Sequence, residues 1–190
     1  MDAGTTYFFD FVAKTNAELF PLFLAGCWIS SGLTASLVTL IAAFALTRQG
    51  RAEKALVVLA AFVTGGLVVE LLRLAVPRPL PSFAFKWLDV ESVARGDLRQ
   101  FYSTFPSGSI FLSVMAWLFL AFSMPRRRLA LLTLAAAALV VFGGFICNLI
   151  LARHYLTDLL AGMTGGAGLA LVAWSFNPCL TQACMSGGVK

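Results

Sequence analysis

Arg153-His154-Tyr155-Leu156-Thr157-Asp158-Leu159-Leu160-Ala161-Gly162 stands at the mouth of an apolar run that continues to about residue 176. A helix crossing the hydrocarbon core of a bilayer needs about 20 mostly apolar residues, and this run supplies them. Charge is costly inside such a span, so an aspartate just within it is expected to have a partner. His154 is the only histidine of the chain. It precedes Asp158 by four residues, so the two share one helix face. A carboxylate beside an imidazole can hold it in one tautomer and make it a base or a nucleophile. The segment therefore reads as a membrane helix that opens on a polar, chemically capable end.

The rest of the chain agrees with a membrane setting. Hydrophobic residues make up 59% of it, well above the usual share in soluble globular domains. Spans are expected at roughly 28–47, 55–76, 109–124, 129–150 and 155–176. The first apolar run starts earlier, near Leu19, and Pro21 with Ser30-Ser31-Gly32 predicts a break or a tilted entry. Residues 1–18 mix Tyr7, Phe8, Phe9, Phe11 and Val12 with Asp10 and Lys14. That pattern reads as an interfacial amphipathic helix and not as a cleaved signal peptide, which would carry a basic leading region. The expected fold is one all-α, polytopic membrane bundle of about five transmembrane helices plus that N-terminal helix. The single domain covers 1–190, with a long loop at 77–107 and a tail at 177–190.

The net charge of +5 does not point to nucleic acid, because the cations sit in loops between spans. Arg48, Arg51 and Lys54 share one short loop, and Arg126, Arg127 and Arg128 another. Five spans put both loops on one side, the cytoplasmic side by the positive-inside tendency, together with the tail. The 77–107 loop and the Arg153–Asp158 segment then face outward, which in a bacterial inner membrane is the periplasm. The cysteines, Cys27, Cys147, Cys179 and Cys184, form no disulfide or zinc pattern, and the two in apolar runs read as small hydrophobes. The long loop opens on the stiff Pro77-Arg78-Pro79-Leu80-Pro81, then carries Phe83, Phe85 and Trp87, which suit an interface. Gly143, Gly144, Gly162, Gly165, Gly166 and Gly168 read as close helix packing in lipid.

Three span ends on the same expected side carry polar residues: Arg78-Pro79, Pro106-Ser107-Gly108-Ser109, and His154 with Asp158. Helix ends on one side can converge on one pocket, and a Pro-Ser-Gly turn opening a helix offers backbone N–H groups to an anion. With these residues the chain resembles the type 2 phosphatidic acid phosphatase family, the membrane branch of the acid phosphatase and vanadium haloperoxidase superfamily. That family carries Lys-x6-Arg-Pro, Pro-Ser-Gly-His and Ser-Arg-x5-His-x3-Asp in this order, and the likeness runs from about Leu56 to Gly162.

The resemblance implies phosphoryl transfer that needs no metal or other cofactor. His154 would form a phosphohistidine, and Asp158 would hold the imidazole through its other nitrogen. Arg78 would clamp phosphate oxygens, with the Ser107 hydroxyl and the Gly108 N–H completing the cradle. The sequence departs from the family where the general acid histidine becomes Ser109 and the Ser-Arg pair becomes Cys147-Asn148. The family lysine falls on Leu71. Arg73 is two residues on, a turn of about 200° on a helix, so it is expected to reach the pocket only if the helix loosens before Pro77. Arg153 is a second stand-in, and Asn148 keeps one uncharged donor. Glu70 reads as a helix ion pair with Arg73.

The expected function is a membrane lipid phosphate or diphosphate phosphatase. Its partners are membrane lipids and a lipid phosphate or diphosphate substrate, with no nucleic acid, and its oligomeric state is open. The alternatives are a non-catalytic or disabled member that binds lipid phosphate, and a lipid phosphotransferase.

Overall fold

The structure is a computed structural model that describes residues 18, 20–78, 103–151 and 153–176. The expected N-terminal interfacial helix, the interior of the long loop and the tail lie outside the described residues. Among the described residues there are six helices and no strand: α1 (Phe20–Ile29), α2 (Gly32–Arg48), α3 (Ala52–Ala75), α4 (Gly108–Ser123), α5 (Arg127–Ile150) and α6 (Leu156–Ser175). The all-α membrane bundle read from the sequence is therefore the observed architecture. Among the described residues four stretches are long and apolar enough to cross a membrane: Pro21–Arg48, α3, α5 and α6. The expected span at 109–124 is present as α4, but its 16 residues reach only about 24 Å, less than the hydrocarbon thickness of about 30 Å.

That short helix is the centre of the bundle. It packs against α2, α3, α5 and α6, and its Ile110, Met115, Ala116 and Phe119 are fully buried. A helix ringed by others need not match the bilayer, because its ends meet protein instead of lipid. The N-terminal end shows this directly, since Pro106, Ser107 and Gly108 are all buried. By contrast α3 and α5 turn leucines such as Leu56, Leu67, Leu132 and Leu139 outward, as lipid-facing helices do.

The break expected at Ser30-Ser31-Gly32 separates α1 from α2. Broken backbone at membrane depth is tolerated where protein supplies the missing partners. Here the Ser113 hydroxyl of α4 donates to the Ser30 carbonyl at 2.9 Å, and the Ser31 hydroxyl caps α2 by accepting from the Thr34 N–H. Gly50 turns the chain from α2 into α3 with φ +73°, a conformation cheap only for glycine.

Glycine also decides how closely α6 approaches α4. A methyl group at position 162 would lie 2.7 Å from the Ser107 carbonyl oxygen, and one at 166 would overlap the Phe111 carbonyl oxygen. Both obstacles are backbone and cannot swing aside. A methyl at Gly168 meets nothing. Gly166→Ala is therefore expected to lower the melting temperature in detergent by several degrees, whereas Gly168→Ala is neutral or slightly stabilising through its better helix propensity. Equal melting temperatures for the two variants would contradict this packing.

Candidate active site

The close approach of α6 to α4 brings their N-terminal ends together. The Ser107 N–H donates to the Asp158 carbonyl at 3.0 Å, so the Pro-Ser-Gly turn is stitched to the first turn of α6. The Phe111 N–H returns to the Ser107 carbonyl, but no side chain caps the start of α4. The amides of Gly108, Ser109 and Ile110 stand where a helix start offers donors and partial positive charge to an anion. The Ser107 and Ser109 hydroxyls lie 3.3 Å apart and share a hydrogen bond.

His154 sits in the turn between α5 and α6, with its side chain only 15% exposed. Its Nδ1 is 3.1 Å from the Thr104 carbonyl oxygen. A carbonyl only accepts, so Nδ1 carries the proton and Nε2 keeps its lone pair. The role expected for Asp158 is therefore taken by another group. Its Oδ2 is 3.9 Å from Nδ1, beyond hydrogen-bond reach, and the imidazole is held by a backbone oxygen instead. Burial pulls the His154 pKa down to about 4; the Thr104 carbonyl opposes the shift, and the charges of Arg153 and Arg73 reinforce it. The ring is neutral at pH 7, the state a nucleophile or base needs.

This shift makes a clean measurement possible, because the chain has one histidine. Its NMR titration midpoint is expected near 4 and not near the ordinary 6.5. Between these values the unfolded chain binds more protons than the folded one, so stability rises with pH. The stabilising contribution is complete above about 6.5 and is lost as the pH falls towards 4. A midpoint above 6 would show an imidazole open to water.

Asp158 is fully buried and spends its oxygens elsewhere. Oδ1 accepts from Arg78 Nη1 at 2.7 Å, and Oδ2 accepts from the Tyr155 N–H at 3.1 Å, capping α6 where a negative charge also suits the helix dipole. Arg78 Nη1 bonds the Thr157 hydroxyl as well, and the guanidinium lies 4.2 Å from the centre of the Tyr155 ring. The Arg78 backbone is tied too. Its N–H donates to the Ser103 hydroxyl and its carbonyl accepts from the Thr104 N–H. Five contacts thus fix this arginine, and Thr104 connects it to His154.

Arg73 corrects the sequence reading. α3 stays helical to Ala75, yet the guanidinium reaches the site without any loosening. Its Nη2 lies 2.9 Å from where a Cβ of Gly108 would be, beside Val69 one turn earlier. Arg73 and Val69 lie on the inward face of α3, while Leu71, where the family lysine falls, points away and is 64% exposed. The missing side chain at Gly108 leaves room for the cation. Glu70 holds Arg73 Nη1 at 2.7 Å, as expected for an i,i+3 pair, and the buried Nε has no hydrogen-bond partner.

The remaining candidates are less engaged. The Asn148 amide is buried and donates to the Gly144 carbonyl one turn back at 2.7 Å, a local bond in place of a clamp. Arg153 is exposed, its guanidinium lying against the Cys27 thiol, so it acts on His154 by charge. Pro79 lies outside the described residues. Thr104, Thr157, Tyr155 and Ser103 were not singled out by the sequence. Thr104 holds the imidazole through a carbonyl that every residue possesses, while its hydroxyl also bonds the Asp158 carboxylate and the Arg78 carbonyl. Tyr155 and Thr157 lie within the His154–Asp158 spacing and were the only ones with a readable signal.

The PAP2 superfamily model matches residues 54–181, which is more than half of the chain and takes in every described residue of the site. No curated protein and no solved structure matches the chain.

Proposed function

The chain belongs to the PAP2 superfamily, a phosphatase-type family, and from that premise we propose that it removes a terminal phosphoryl group from a membrane lipid phosphate or diphosphate through a phosphohistidine on His154. The observation that carries this reading is the neutral imidazole with its Nδ1–H engaged by Thr104, among two arginines and an uncapped helix start. In phosphoryl transfer most of the catalytic work is positioning and electrostatic stabilisation of the equatorial oxygens. Arg78, Arg73 and the α4 amides supply that. His154 Nε2 supplies the electron pair that attacks phosphorus.

The site faces the outer side of the membrane in this reading. What supports it is charge: Arg48, Arg51, Lys54 and Arg126–Arg128 gather at the opposite end of the bundle, and the positive-inside tendency makes that end cytoplasmic. There Lys54 lies 4.6 Å from the centre of the Trp174 ring, an arrangement suited to the interface.

The test is release of inorganic phosphate by the purified full-length chain in detergent, offered one long-chain alcohol as its monophosphate or as its diphosphate. Release that is lost in Arg78→Ala supports the proposal. No release from either lipid, with binding retained, would overturn it in favour of a lipid-phosphate binder.

A further inference from the structure

We propose that the end of the bundle remote from His154 carries a second lipid site, in which Trp174, Arg51 and Lys54 hold the headgroup of an anionic phospholipid. The proposal goes beyond the phosphatase reading and does not depend on it. Its basis is one aromatic ring with two cations on it. The Lys54 ammonium lies 4.6 Å from the centre of the Trp174 ring, and the Arg51 guanidinium lies 5.4 Å from it. Two like charges on one ring stay within about 10 Å of each other, the Debye length at 0.1 M salt, so their repulsion is not screened away. An anion seated beside the ring relieves that repulsion and is attracted by both charges at once.

The fold builds this corner from several helix ends. Trp174 stands in the last turn of α6, and Arg51 and Lys54 stand at the start of α3. The Lys54 ammonium also donates to the Trp174 carbonyl at 3.4 Å. Phe122 of α4 lies against the indole, with ring centres 5.2 Å apart. Trp174, Arg51 and Lys54 are all half-buried, so the protein holds their directions. Further cations surround them. The Gln49 amide donates to the Ser123 carbonyl at 2.8 Å, which ties the turn from Arg48 to Arg51 to the end of α4, just before Arg126, Arg127 and Arg128. Those three and Arg48 are exposed, and Glu53 is the acid that accompanies them in the first turn of α3.

A phospholipid fits this corner better than a soluble anion does. Leu56 of α3 and Leu171 and Val172 of α6 are exposed at the same end, where they offer an apolar surface to acyl chains. Tryptophan settles at the headgroup level of a bilayer, and a basic pocket between membrane helices is a recurring site for anionic headgroups. The phosphodiester oxygens would accept from Arg51 and Lys54, clipping the start of α3 to the end of α6. The site is separate from the phosphate cradle, because α6 covers about 27 Å between Leu156 and Trp174. A lipid held there lies in the other leaflet, out of reach of His154, and is a bound lipid and not a substrate.

The experiment adds phosphatidylglycerol or phosphatidylcholine with the same acyl chains to the purified full-length chain in neutral detergent. Phosphatidylglycerol is expected to raise the melting temperature by several degrees more than phosphatidylcholine does. Native mass spectrometry of the unaltered chain should show it retained in preference, a readout that does not depend on a variant folding. Arg51→Gln with Lys54→Gln should weaken its binding about 30-fold, the effect of removing two cations that face an anionic headgroup. Lys54→Arg keeps the charge and should leave binding nearly unchanged. Arg127→Gln with Arg128→Gln removes as much charge away from the ring and should weaken binding less than about fivefold. Arg78→Ala, at the far end of the bundle, should not weaken it. Equal losses from the two double variants would reduce the effect to diffuse attraction and overturn the proposal. So would a loss in Arg78→Ala, which would move the lipid to the phosphate cradle. An equal shift with soluble glycerol phosphate, or no preference between the two lipids, would overturn it as well.

Discussion

Replacing His154 with alanine is expected to abolish phosphate release, lowering kcat by at least about 10⁴-fold, the scale seen when a nucleophile or its base is removed from a site whose parts act as a unit. No other described side chain can take over the attack. The serines are bonded to each other, and the nearest carboxylate is buried in an ion pair. Binding should survive better than chemistry, because Arg73, Arg78 and the α4 amides remain. The variant should therefore retain a similar affinity for the lipid while single-turnover formation of labelled phosphoenzyme disappears. His154→Ala also removes a buried ring, but its hydrogen bond is to a carbonyl in a segment already held by the Arg78 and Ser103 contacts. The fold should persist, and a melting curve checks this. Activity within tenfold of the unaltered chain would remove His154 from the chemistry.

The apolar runs were legible because burial in lipid needs length and composition, and both are written in the sequence. The expected ends of the later spans fall within a few residues of α3, α4, α5 and α6. The break at Ser30 was legible too, since consecutive small polar residues interrupt an otherwise apolar helix. Its stabilising partner, Ser113, was not, because that contact bridges residues 83 apart in sequence. In the site, the approach of Arg78, Ser107, His154 and Asp158 followed from helix ends gathered on one side. The pairings among them did not follow. A four-residue spacing says that His154 and Asp158 are neighbours, and it leaves open which takes Arg78 and which takes a backbone group. Arg73 shows the same limit. Helical phase correctly sets it opposite Leu71, but the alignment with the family lysine obscured which of the two faces was inward.

Asp158 is the residue whose loss should separate these possibilities. It is 0% exposed, and its carboxylate joins Arg78 to the α6 start. Removing one member of a buried ion pair strands the other and typically costs about 3–5 kcal/mol. Arg78 is partly open to water, so Asp158→Ala is expected near the lower end, about 3 kcal/mol. Asp158→Asn keeps the shape and should cost less. The functional loss is the more telling quantity. If Asp158 worked by orienting the imidazole, its effect on kcat would be separate from that of Arg78, and the two losses would add. The structure has it orienting the arginine, while Thr104 holds the ring. Asp158→Asn combined with Arg78→Ala is therefore expected to be little worse than Arg78→Ala alone, a coupling of about 1–3 kcal/mol in a double-mutant cycle. The His154 titration gives an independent reading, since its proton is held by the Thr104 carbonyl in both variants. Additive losses in kcat/KM would return Asp158 to the imidazole, and would mean that the 3.9 Å gap closes when substrate binds.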